Sequence, residues 1–124
     1  MPKARETART PEDLTRLFVE LANERDPDGM AELYAPDAVM AYPPGNTTVG
    51  REAIRAVLAQ FVGHAPLPVA MEQPLPTLRY GDLALTSTPA GDGTGIRVQV
   101  AQRQRDGSWL RIMDRPESRP APDR

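Results

Sequence analysis

Apolar residues recur along this chain in two rhythms, a helical one first and a strand-like one afterwards. Leu14, Leu17, Phe18, Leu21 and Ala22 are spaced i, i+3, i+4, i+7 and i+8, which lines one face of a helix. Thr10 can cap that helix, Pro11 suits its first position, and Glu12 and Asp13 complement the positive end of its dipole. The pattern predicts a helix ending near Glu24. Asp26-Pro27 repeats the cap-then-proline signal and opens a short second helix carrying Met30, Leu33 and Tyr34. Pro36 stops it, because a proline disfavours helical geometry in the residue before it. Ala38 to Tyr42 reads as a short strand closed by the Pro43-Pro44-Gly45-Asn46 turn. A third helix is expected from Arg51 to Val62, with Ile54, Val57, Leu58, Phe61 and Val62 on one face and Gly63 as a left-handed stop.

Beyond Gly63 the period drops to two. Val69 to Tyr80 reads as a long strand that Pro74 and Pro76 confine to an edge or a bulge. Leu83 to Thr88 is another. Ile96 to Arg105 and Trp109 to Arg115 flank Asp106-Gly107, a strong hairpin signal. Helices first and antiparallel strands after predict an α+β domain with its helices on one sheet face. Alternation on the last strand puts Leu110, Ile112 and Asp114 on the core side and Trp109 opposite, as a sheet-packing or dimer-interface anchor. On the strand before it, Arg97, Gln99, Ala101 and Arg103 oppose Ile96, Val98 and Val100, which suggests a partly wet outer face. Gly91-Asp-Gly-Thr-Gly95 lacks the lysine and the following helix of a phosphate loop and reads as a flexible hairpin loop. The domain is expected over residues 10–116, with polar, flexible tails at 1–9 and 117–124.

Composition narrows the chemistry. A chain of 124 residues fits one domain, and with one Trp, three Tyr and two Phe its core must be largely aliphatic. The net charge of -2, with Lys and Arg interleaved among Asp and Glu, argues against nucleic acid as a partner. The absence of Cys excludes disulfides, thiolate nucleophiles and Cys-built metal sites. The single His, His64, excludes a two-histidine constellation and is read as a solvated helix-end residue. Carboxylate clusters with metal spacing are also missing, so neither metal nor cofactor is expected. No apolar run reaches the ~18 residues that cross a bilayer, which points to the cytoplasm and away from membranes.

Three stretches resemble a known superfamily. Asp26-Pro-Asp-Gly-Met-Ala-Glu-Leu-Tyr-Ala-Pro-Asp-Ala-Val-Met40 is similar to the second helix and following strand of the nuclear transport factor 2-like proteins. Gly50-Arg-Glu-Ala-Ile54 is similar to the start of their third helix, and Asp106-Gly-Ser-Trp-Leu-Arg-Ile-Met-Asp-Arg-Pro116 to their last hairpin. The resemblance implies three N-terminal helices packed on a strongly curved, mainly antiparallel sheet, forming a cone with an internal pocket. It also implies a homodimer through the outer sheet face. Ketosteroid isomerases of this superfamily use a carboxylate base with a Tyr and a protonated Asp. Here the tyrosine position falls on Phe18 and the base position on Tyr42, so that chemistry is not expected.

The SnoaL-like members need one acid–base carboxylate in an apolar pocket. The resemblance thus implies a cofactor-free isomerase, cyclase or lyase acting on an apolar small molecule. Asp114 is the candidate carboxylate, Tyr42 or Tyr34 the candidate donor, and Phe18, Tyr34, Leu58, Leu110 and Ile112 the candidate lining. Two alternatives stay open. Asp114 can simply end its strand by pairing with Arg111 or Arg115, and the chain can be a non-catalytic ligand binder or dimeric accessory protein.

Overall fold

α1 (Pro11–Asn23) starts at a complete capping box. The Thr10 hydroxyl accepts the Asp13 N–H at 3.2 Å, and the Asp13 carboxylate accepts the Thr10 N–H at 3.2 Å and the Arg9 N–H at 2.9 Å. Its buried face is Leu14, Leu17 and Ala22, with Phe18 and Leu21 packed half-buried beside them. A computed structural model describes residues 5–90 and 95–116 of the chain. The expected tail residues 1–4 and 117–124 and the loop residues 91–94 lie outside the described residues. Residues 5–9, grouped by composition with the tail, are docked. Ala8 is buried and its carbonyl accepts the Trp109 N–H at 3.0 Å, while Arg5 reaches Asp26 and Glu32.

The second helix is shorter than its spacing suggests. α2 (Pro27–Ala31) is capped by Asp26, which accepts the Gly29 N–H at 3.0 Å, and Tyr34 already belongs to β1 (Tyr34–Met40). Long-range pairing overrides the helical period here. Pro36 favours extended geometry in Ala35, and the Leu33 carbonyl accepts the Arg111 N–H of the last strand at 2.8 Å. Arg51 adds two hydrogen bonds to the Tyr34 carbonyl, at 2.9 and 2.6 Å. β2 (Thr48–Val49) follows the proline turn, and Gly50, at φ 95°, leads into α3 (Arg51–His64). Gly63 stays helical rather than stopping α3. The stop is Ala65, extended at φ -72° and ψ 145° ahead of Pro66.

Of the long strand expected after α3, only β3 (Leu78–Tyr80) forms. Pro74 and Pro76 cannot donate to a ladder, and Leu75 contributes one bond to the Ser87 carbonyl at 2.8 Å. β4 (Leu83–Pro89), β5 (Ile96–Arg103) and β6 (Trp109–Arg115) complete a six-stranded sheet ordered β2-β1-β6-β5-β4-β3. β1 runs parallel to β6 and every other pair is antiparallel. The result is a curved, mostly antiparallel α+β cone with helices on its concave side.

One irregularity decides which side chains face that side. Along β5, Val100 and Ala101 are consecutive, but their partners on β6 are Met113 and Arg111, so Ile112 is an extra, unpaired residue. Such a β-bulge bends its strand and shifts the alternation by one. Trp109, Arg111 and Asp114 are therefore all buried, while Leu110 and Ile112 are half-buried. This corrects the expectation that Leu110, Ile112 and Asp114 share the inner face and that Trp109 points away. β5 is corrected too: Gln99 and Ala101 face the core rather than an outer wet surface.

The outer face carries an apolar row instead. Val49, Val39, Met113, Val100, Leu85 and Leu78 are successive cross-strand partners spanning all six strands. No helix among the described residues is long and apolar enough to cross a membrane.

Ile54, 0% exposed under α3, tests the helix–sheet packing. Ile54→Ala should cost ~2–5 kcal/mol in urea unfolding, against ~1 kcal/mol for removing the α1 cap with Thr10→Ala. A loss for Ile54→Ala no larger than that for Thr10→Ala would contradict a tightly packed α3.

Candidate functional site

A line of polar side chains crosses the concave face in register. Thr86 on β4 is paired with Gln99 on β5, and Gln99 with Asp114 on β6. Because a carboxylate only accepts, Gln99 must present its amide nitrogen to Asp114, and does so at 3.2 Å. Its carbonyl oxygen then takes the Thr86 hydroxyl at 2.8 Å. The second Asp114 oxygen accepts the Tyr34 hydroxyl at 2.5 Å. Tyr34 is fully buried, and Thr86, Gln99 and Asp114 are each under a tenth exposed.

Arg111 completes the cluster from β6. Its NH1 is 3.4 Å from the Tyr34 hydroxyl and 4.0 Å from Asp114, and its Nε has no hydrogen-bond partner. The guanidinium lies 4.9 Å from the Phe18 ring centroid and 5.8 Å from that of Tyr34, within cation–π range of both. Burial, and then the nearby Asp114 charge, push the Tyr34 phenol well above its ordinary range, so it stays protonated and donates.

The SnoaL-like domain family matches residues 15–112, most of the helical layer and sheet. The chain belongs to the SnoaL-like domain family. Solved structures of the same cone accompany the match. A ketosteroid isomerase-like protein from Erwinia carotovora atroseptica aligns at a TM-score of 0.67 and 14% identity, over 84% of this chain and 89% of that one. A nuclear transport factor 2-like protein of unknown function from Pseudomonas putida KT2440 aligns at 0.61 and 22%, over 84% and 80%. A nuclear transport factor 2-like protein with a cystatin-like fold from Novosphingobium aromaticivorans aligns at 0.57 and 18%, over 83% and 75%. No curated protein matches the chain.

In this SnoaL-like domain the candidate residues separate. Asp114 and Tyr34 meet directly. Leu58 is buried in the core, while Phe18, Leu110 and Ile112 pack half-buried against it. Tyr42 is 40% exposed past the end of β1, with its carbonyl taking the Thr48 hydroxyl at 2.7 Å. The donor beside Asp114 is thus Tyr34, and the pairing of Asp114 with Tyr42 is not what the geometry brings together. Of the two arginines open as partners of Asp114, Arg111 is the one beside it, at 4.0 Å, while the inward roles of Gln99 and Thr86 were missed. Gln99 between Val98 and Val100 was a visible signal, but the bulge that turns Arg111 inward has none in the local pattern.

Two surface clefts of about 360 and 380 Å³ lie elsewhere, one beside Asp82, Arg103 and Gly107 and one beside Arg5, Glu32 and Arg55. Several charges in both are already paired, Arg103 with Asp82, Arg5 with Glu32 and Arg55 with Asp28. His64 lies at the exposed end of α3, its Nδ1 2.9 Å from the Gln60 carbonyl.

The raised Tyr34 pKa sets a pH dependence. The unfolded phenol releases its proton near pH 10 while the folded one holds it, so this stability is present below pH ~10 and lost above it. The loss should run at up to ~1.4 kcal/mol per pH unit. Tyr34→Phe should cost ~1–3 kcal/mol at neutral pH by unpairing Asp114. The gap between the two proteins in urea unfolding should then narrow steadily above pH ~10; a constant gap would show that the hydroxyl is not buried.

Proposed function

We propose that this chain binds an apolar small molecule at the Tyr34–Gln99–Arg111–Asp114 cluster and uses Asp114 as a cofactor-free acid–base group in isomerase, cyclase or lyase chemistry. The observation that carries the reading is the 2.5 Å hydrogen bond by which a buried, protonated Tyr34 holds one oxygen of a buried Asp114. Gln99 holds the other oxygen at 3.2 Å, so the carboxylate has a fixed orientation before any substrate arrives. In such a site a substrate C–H bond breaks toward Asp114, and its electron pair moves into the adjacent carbonyl. The same proton returned at another carbon completes an isomerisation with nothing consumed. Tyr34 remains a donor throughout and Asp114 does the proton transfer.

Access to the cluster would run past the aromatic residues of the helical layer. Phe18, stacked on Arg111, is half-buried, and its ring centroid is 6.4 Å from that of Phe61, which is 36% exposed. This pair links the surface to the cluster, and an apolar ligand entering here would replace ring contacts with its own.

Proton transfer can be followed without knowing the substrate. In D2O, the protein should speed exchange of the hydrogens next to the carbonyl in a panel of apolar ketones, read by proton NMR. Asp114→Asn should slow that exchange by ~10²–10⁴-fold while circular dichroism stays native. Exchange no faster than in buffer, or unchanged in Asp114→Asn, would remove the acid–base role.

A second reading, a dimeric binding or accessory protein without catalysis, is favoured by the outer face. Its row from Val49 to Leu78 exposes Val49 at 62%, Met113 at 51% and Leu78 at 66%. A second copy is the partner this row fits, because a band crossing the whole sheet can meet itself about a two-fold axis. Light scattering should give a dimer for the chain and a monomer for Val100→Glu combined with Met113→Glu. A wild-type monomer at micromolar concentration would exclude this interface.

A further inference from the structure

We infer that the ligand of this cluster carries a carboxylate, taken by the Nε–H edge of Arg111; the inference rests on the small-molecule reading above. Arg111 is 4% exposed, so its guanidinium is a buried cation. A buried guanidinium used only as a counterion normally docks a carboxylate side-on with two short N–H···O bonds. That arrangement is absent here. Asp114 spends its oxygens on Tyr34 and Gln99, and the nearest approach of Arg111 to it is 4.0 Å. The one hydrogen bond Arg111 makes within the cluster, from NH1 to the Tyr34 hydroxyl, is long at 3.4 Å, and its Nε is unpartnered.

Arg51 provides an internal contrast. It gives its Nε and NH2 to the Tyr34 carbonyl at 2.9 and 2.6 Å, which is how this chain pairs an arginine whose task is to hold the backbone. Arg111 is held differently. The Phe18 and Tyr34 rings lie 4.9 and 5.8 Å from its guanidinium, and its Nε–H carries no hydrogen bond. Leaving a buried donor unpaired is costly, and the cost is recovered when an acceptor arrives, most of all a charged one. An apolar body against Phe18 and Phe61 with a carboxylate toward Arg111 satisfies both sets of groups.

Benzoate and its neutral isostere benzamide separate the possibilities. Each is titrated calorimetrically into the full chain and into Arg111→Met, and the arginine Nε–Hε resonances of the wild type are followed by nitrogen-15 NMR. Benzoate should bind wild type at least about tenfold more tightly than benzamide and shift the Arg111 Nε–Hε signal, and Arg111→Met should lose the preference. If Arg111→Met does not fold, the wild-type preference and that resonance decide alone. Equal binding of both probes, a preference that survives in folded Arg111→Met, or an unmoved Arg111 signal overturns the carboxylate inference and leaves the small-molecule reading standing. Failure of both probes to bind overturns the two together.

Discussion

Removing the Asp114 carboxylate from water is the most demanding thing this fold does. A buried carboxylate is tolerated only when its lone pairs are filled and a positive charge is near. Asp114 obtains the first from Tyr34 and Gln99 and the second from Arg111, at 2.5, 3.2 and 4.0 Å. Those partners come from β1, β5 and β6, so three strands must be in register before the charge is stable. The rest of the architecture follows from this. α2 has to end at Ala31 for Tyr34 to enter a strand, and Gln99 has to face inward although its neighbours Val98 and Val100 are apolar.

The bulge at Ile112 is what reconciles that cluster with an ordinary sheet. Without an extra residue, Arg111 and Asp114, three positions apart, would point to opposite faces. With it, both turn inward, and Met113 is left on the convex side in line with Val39 and Val100. The same irregularity thus brings polar side chains into an otherwise apolar interior and leaves an apolar row on the exterior. It also bends the sheet around the helices. Site and outer row depend on this inserted residue together with the register shift between Tyr34 and Val39 on β1.

How much of this was legible in the chain depends on the range of each interaction. The Thr10 cap, the α1 stripe and the Asp106-Gly107 hairpin are decided by residues within a few positions, and they lie where the spacing puts them. Tyr34 fits a helical stripe as well as a strand, and pairing with Arg111, 77 positions away, decides between them. Asp114 was identifiable as the carboxylate of interest, but its donor was not, because Tyr42 and Tyr34 differ only in which of them β1 buries. Pairing of Asp114 with Arg111 was one of the readings left open, but the burial of Arg111 was not legible. Period-two reasoning assumes an unbroken ladder, and a bulge breaks it without altering residue types.

The distribution of charge supports giving this cluster the functional weight. Among the described residues, Asp114 is the one buried acid and Arg111 the one buried base. Arg5, Arg16, Arg55, Arg97 and Arg103 instead form ion pairs with at least one exposed partner, the kind that contribute only ~0–1 kcal/mol each and are screened by salt. Such pairs are replaceable. A buried pair held apart at 4.0 Å is not explained by stability, since well-packed apolar residues of the same volume would serve the core as well or better. What an aliphatic core cannot provide is an oriented carboxylate, a protonated phenol and a guanidinium against the Phe18 ring. A core that retains all three supports the acid–base role proposed for Asp114.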